Sequence, residues 1–125
     1  MQKAAKGLQF KFLRIHRLAG KENFQSVFAN PYKVAYKALL ALYKPNQSYA
    51  RLGIIIGKRY MKRAVDRNQL RRIVRESFRF QKEALKGFDI VVLVRSTVSP
   101  SQDKRQWRDD IDKLWLRLID SSKRF

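Results

Sequence analysis

The chain has no cysteine and a single histidine, His16. Without thiols there can be no disulfide, no zinc-thiolate site and no cysteine nucleophile, and folding needs no oxidising compartment. A histidine-based metal site or triad would have to be built around His16 alone, so a surface or RNA-facing imidazole is the better reading of that residue. Acidic residues are also scarce, 10 Asp or Glu against 29 Lys or Arg. A metal-dependent protein nuclease needs carboxylates converging on a pocket. The densest acidic group, Asp109, Asp110 and Asp112, interleaves with Trp107, Ile111 and Leu114 and reads as a solvated helix face. No glycine-rich phosphate loop of a standard kind occurs. The longest apolar run, Ala38 to Tyr43, falls far short of the roughly 20 residues that span a bilayer. Lys11 and Arg14 interrupt any signal-peptide core, and the expected location is the cytoplasm.

What the chain does contain is positive charge, arranged unevenly. A net charge of +19 on 125 residues implies a partner that neutralises it, nucleic acid first and an anionic membrane surface second. An apolar content of 45% is enough for one core, so residues 1–125 are expected to form a single domain, with 1–13 as a flexible tail. Residues 58–79 place nine Lys or Arg against two acids, a net of +7, on a stretch with helical periodicity. Around a helical wheel Arg67, Arg71, Arg75 and Arg79 fall within about 120°, with Asn68 and Arg72 in or beside the same arc. Leu70, Ile73, Val74, Ser77 and Phe78 lie on the other side. A solvated helix face normally mixes signs, and this arc does not. Its preference for arginine suits bidentate phosphate contacts and stacking on bases. Asp66 and Glu76 read as ion-pair partners orienting these guanidinium groups.

The remaining elements follow from shorter signals. Lys21 to Phe28 reads as a short amphipathic helix ended by Asn30 and Pro31. Tyr36 to Tyr43 reads as one strand, paired as a hairpin with the next across the turn residues Pro45 to Ser48. Leu52 to Ile56 reads as a central strand buried on both faces, and Ile90 to Val94 as another. Lys86 and Gly87 look like the end of the basic helix. Ser99 and Pro100 suit the start of a last helix through Trp107, Ile111, Leu114, Trp115 and Leu118. Phe24 and Phe28, one turn apart, are core residues by default. A short helix lying on a sheet can still leave a ring edge open to stack an unpaired base. Lys33, Lys37, Lys58 and Arg59 supply charge nearby.

Met61, Ala64, Arg67, Asn68, Leu70, Arg71, Arg72, Val74, Arg75, Glu76 and Phe78 together resemble the signature of the protein subunit of bacterial ribonuclease P. Arg17, Leu18, Phe24, Val27 and Phe28 are similar to that family's N-terminal pattern, Leu52 to Arg59 to its strand and following basic pair, and Ile90 to Val94 to its last strand. The resemblance covers roughly residues 14–120. It implies an α+β single-domain sandwich of order αβββαβα with a central sheet, similar to the second domain of a small-subunit ribosomal protein. Its β-α-β crossover would be left-handed, against the general right-handed rule.

The function implied is that of a ribonucleoprotein subunit assisting endonucleolytic removal of the 5′ leader of precursor tRNA. The RNA subunit is then the catalyst, and the protein alone is inactive and has no catalytic residue. Carried over position by position, Lys58, Arg59, Lys62, Arg63, Arg67, Asn68, Arg71, Arg72 and Arg75 would contact the catalytic RNA. The leader would lie against Phe24 and Phe28 with Arg17, and Tyr36 or Tyr43 would supply the aromatic that commonly faces it from the first strand. Where the family often has Lys-Arg, this chain has Arg71 and Arg72, which keeps charge and reach. Magnesium is implied as the RNA's metal, with none borne by the protein, and no obligate protein partner or membrane is expected. A structural RNA-binding protein of the ribosomal type is the alternative on the same basic face. An autonomous nuclease is disfavoured by the thin supply of histidine and clustered carboxylates.

Overall fold

The structure, a computed structural model, describes residues 14–98 and 102–123. Proposed tail residues 1–13 and the helix-start pair Ser99 and Pro100 lie outside the described residues. After a short 3-10 turn, Arg14–His16, the elements are α1 (Lys21–Phe28), β1 (Tyr32–Tyr36), β2 (Leu39–Pro45), β3 (Arg51–Ile55), α2 (Ala64–Gln81), β4 (Phe88–Val94) and α3 (Lys104–Ser122). This is the expected α+β order αβββαβα. The four strands form one mixed sheet in the order β1-β2-β4-β3, antiparallel except for the β3-β4 pair.

Two strand expectations are corrected. The run Tyr36 to Tyr43 is not one strand. It holds the end of β1, a two-residue turn at Lys37 and Ala38, and most of β2. Lys37 takes a left-handed φ of 51°, and the turn is pinned from β4's end by Arg95, whose backbone N–H donates to Ala38 O and whose Nε donates to Lys37 O. The hairpin is therefore β1-β2, and the Pro45 to Ser48 loop leads away to the far side of β4. As a result β3 is an edge strand, with Ile55 exposed, rather than the central one. Three β-branched residues in succession signal extended backbone and burial but carry no information on rank within a sheet. Part of the open edge is covered by the N-terminal segment, where Arg17 bridges Leu52 and Leu18 N–H donates to Leu52 O.

The pleat gives the sheet two faces with different neighbours. Ala41, Tyr43, Ile90, Val92 and Leu52 join Val74, Phe78, Trp107, Ile111, Trp115 and Leu118 in the larger core, between the sheet and α2 with α3. Leu42 and Val91, with Leu40 and Leu93 beside them, pack against Leu18, Phe24 and Val27 in the smaller one, under α1. At the end of the sheet Arg51 donates two hydrogen bonds of 2.7 Å to Asp89, and Asn46 donates a third. His16 is buried, its ring edge-on to Tyr49 and Phe78, which corrects its reading as a surface imidazole. Burial, and after it the charge of Lys82, lowers its pKa from the usual value.

Helix α2 ends at Gln81, five residues before Lys86; Gly87, at φ 90°, instead turns the chain into β4 while exchanging backbone hydrogen bonds with Asn46 and Ser48. Helix α3 starts at Lys104, and the Asp103 carboxylate caps it by accepting from Arg105 N–H. Of the three aspartates assigned to its wet face only Asp109 is exposed. Asp110 is buried and accepts from the amides of Gln102 and Gln106, and Asp112 accepts from Ser77 and Arg108. Ser77, the one hydroxyl in the apolar stripe of α2, also accepts from Trp115 Nε1 at 2.9 Å. That polar chain joins the two helices inside the core. Ser77→Ala should orphan the indole N–H and destabilise the fold by about 1–3 kcal/mol, whereas Ser77→Cys should cost less. Urea denaturation followed by circular dichroism gives the comparison, and equal losses would place the cost in packing alone.

Candidate RNA-binding surface

The site has two parts, separated by the exposed edge of β3. On one side, α1 lies across Leu42 and Val91 with Phe24 half-buried and Phe28 exposed at 42%. The close approach is possible because position 53 is glycine: a Cβ there would lie 2.6 Å from Phe24 Cε1 and Cζ. On the other side, α2 presents its arginines. Between them is a cavity of about 230 Å³ lined by Arg17, Leu18, Phe24, Gly53, Arg71 and Arg75 among others. Burial lowers the pKa of Arg75, and the positive charges of Arg17 and Arg71 lower it further. Three guanidinium groups thus crowd one place without a carboxylate among the lining residues, an arrangement that an anion would relieve.

Along α2, Asn68, Arg71, Arg72, Arg75, Glu76 and Arg79 line an open groove of about 440 Å³. Arg71 donates to Asn68 Oδ1 at 3.2 Å, so the two side chains are set together. Arg67 differs from its neighbours: its Nη1 donates to the carbonyls of Met61 and Lys62 at 2.9 and 2.8 Å. It holds the 58–63 segment against the helix while Lys58, Arg59, Lys62 and Arg63 remain exposed. Arg63 pairs with Asp66 at 3.6 Å, and the Arg59 guanidinium lies 5.4 Å from the Tyr60 ring centroid. Asp66 thus acts as the expected ion-pair partner; Glu76 forms no ion pair among the described residues.

The two tyrosines assigned to the leader stand apart from Phe24. Tyr43 is fully buried on the α3 face, with its hydroxyl 2.6 Å from Ser121 Oγ. Tyr36 points to that same face, where Lys37, Lys113 and Arg117 surround its ring. The sheet separates both from α1, because residues of odd and even register point to opposite faces and the turn at Lys37 resets the alternation. The α1 face of β2 instead carries Leu40 and Leu42, which sequence reading missed. Recognising the hairpin inside residues 36–43 would have found them.

Among the described residues no group of three or more His, Asp or Glu is close enough to hold a metal ion. No helix among them is long and apolar enough to cross a membrane.

A model of the family described as Ribonuclease P matches residues 12–119. The chain belongs to the bacterial ribonuclease P protein family. A ribonuclease P protein component from Nitrosococcus oceani is 41% identical over 107 residues, covering 79% of this chain and 90% of that one. Among solved structures, the ribonuclease P protein of Thermotoga maritima superposes with a TM-score of 0.67 at 32% identity, over 82% of this chain and 94% of that one. The protein from Staphylococcus aureus, at 24% identity, shares the fold with a TM-score of 0.72 over 82% and 94% of the two chains. The protein is therefore the RNA-binding subunit of ribonuclease P, the endoribonuclease of tRNA 5′ maturation.

If Gly53 is glycine because of Phe24, Gly53→Ala should cost about 1–2 kcal/mol of stability in the parent and much less in a Phe24→Ala background. A double-mutant cycle on denaturation midpoints measures this. Equal costs in both backgrounds would mean that the ring is not what the methyl meets.

Proposed function

We propose that the protein positions two RNAs against each other: the catalytic RNA along the arginine arc of α2, and the single-stranded 5′ leader of precursor tRNA across the α1 face of the sheet. The observation that carries this reading is the cavity at the β3 edge, where Arg17 and Phe24 from one surface meet Arg71 and Arg75 from the other. A leader strand crossing that edge would keep its phosphates beside guanidinium groups and its bases beside Phe24 and Phe28. Stacking on such rings is tolerant of sequence, which suits a subunit that must accept many precursor tRNAs.

In this assignment Asn68, Arg71, Arg72 and Arg75 contact the catalytic RNA directly. Lys58, Arg59, Lys62 and Arg63 flank them on a segment that Arg67 holds in place. Arg17, Phe24 and Phe28 face the leader, with the partly buried Leu40 on the same face of the sheet in place of a tyrosine. No side chain of the protein is assigned to bond cleavage. Magnesium, which membership of the family implies for folding and hydrolysis, is assigned to the RNA, and several of the protein's carboxylates are engaged by Arg51, Arg63, Arg108 and Lys113.

The two halves separate experimentally. Arg71→Ala with Arg75→Ala should weaken binding to the catalytic RNA by about 2–3 kcal/mol and make its salt dependence shallower by about 1–2. Phe28→Ala, at an exposed position, should weaken leader-containing precursor tRNA several-fold while leaving mature tRNA unchanged. Filter binding over a salt series reads both. Unchanged affinity in the arginine variant, or a uniform loss in the Phe28 variant, would contradict the respective assignment.

A further inference from the structure

The positive surface does not stop at α2. A second groove, of about 350 Å³, runs between α2 and α3 and is lined by Arg72, Ile73 and Glu76 from one helix and Lys104, Arg105 and Arg108 from the other. Arg72 and Glu76 line the arginine groove of α2 as well, so the two are continuous across one ridge. Four cations here face one carboxylate, and Arg72, Lys104 and Arg105 form no ion pair among the described residues. One turn further along, α3 behaves as an ordinary wet helix, with Lys113 paired to Asp109 at 3.0 Å and Arg108 to Asp112 at 3.1 Å. Behind the Asp103 cap, the first turn of α3 has no acid and carries Lys104 and Arg105, two cations against one carboxylate at the end where the helix dipole disfavours positive charge. Bound phosphate would offset that cost.

Next to the groove, across Arg108, stands an aromatic ring. Phe80 is 51% exposed, and the guanidinium groups of Arg79 and Arg108 lie 5.3 and 5.8 Å from its centroid. An exposed ring between two cations, next to a line of unpaired ones, is what a single-stranded nucleic acid segment needs: charge for its backbone and a face for a base.

We propose that a second segment of the catalytic RNA seats in the α2-α3 groove, its phosphates on Arg72, Lys104 and Arg105 and an unpaired base stacked on Phe80. The proposal rests on the assignment of α2 to the catalytic RNA, since Arg72 belongs to both grooves. The test is binding of the full chain to the catalytic RNA, and separately to precursor tRNA, over a salt series. Lys104→Ala with Arg105→Ala should lower affinity for the catalytic RNA about tenfold and make the salt dependence shallower by about 1.5. Phe80→Ala should lower it about fivefold at every salt concentration, and Phe80→Trp should restore it. If these variants bind like the parent while Arg71→Ala with Arg75→Ala is weakened, the groove is not an RNA site and the α2 assignment stands. A loss confined to precursor tRNA overturns the choice of RNA. If the Arg71 and Arg75 variant also binds like the parent, the underlying assignment fails and the groove proposal falls with it.

Discussion

The parallel pairing of β3 with β4 determines where everything else in this molecule can lie. Antiparallel neighbours can be joined by two residues, as Lys37 and Ala38 join β1 to β2, but parallel neighbours need a crossover long enough to return the chain to its starting end. Here the crossover is the basic segment and helix α2. Because β3 is also the sheet's edge, the helix returns past an open flank on which the N-terminal segment, Arg17 and Leu18, is docked. Two surfaces distant in sequence are thereby brought to one seam. If β3 were central, as its composition suggests, Arg17 and Arg75 could not share a cavity.

Charge and packing are divided along the same helix. Leu70, Val74, Ser77 and Phe78 hold α2 to the core, and the Trp115-Ser77-Asp112 chain fixes its position against α3. The cations on the other face are therefore displayed on a rigid support. Burial, and after it the charges of Arg17 and Arg71, lowers the pKa of Arg75, so these guanidinium groups are held together at a cost. Phosphate neutralises such a cluster, and under the proposed positioning role the binding site is already assembled when the RNA arrives.

Much of this was legible in the residues. The wheel divided α2 correctly, the 21–28 helix has the expected bounds, and the signature from Met61 to Phe78 led to the family. What failed, failed for definable reasons. A two-residue turn without glycine or proline, at Lys37 and Ala38, leaves no mark in the apolar run that contains it, and missing it moved Tyr36 and Tyr43 to the wrong side of the sheet. Strand order is a non-local property, so Leu52 to Ile56 could not announce an edge. His16 and Asp110 are polar residues buried by tertiary contacts, against the average preference of their types. The role of Gly53 depends on Phe24, 29 positions earlier, and only the assembled fold reveals it.

The central claim is that this protein contributes position and charge while RNA contributes the chemistry. Reconstitution with a bacterial ribonuclease P RNA tests it most directly, by following leader removal from precursor tRNA against magnesium concentration with and without the protein. The account predicts no cleavage by the protein alone and a lower magnesium requirement when both subunits are present. Leader removal by the RNase-treated protein alone, or a magnesium requirement that the protein leaves unchanged, would contradict it.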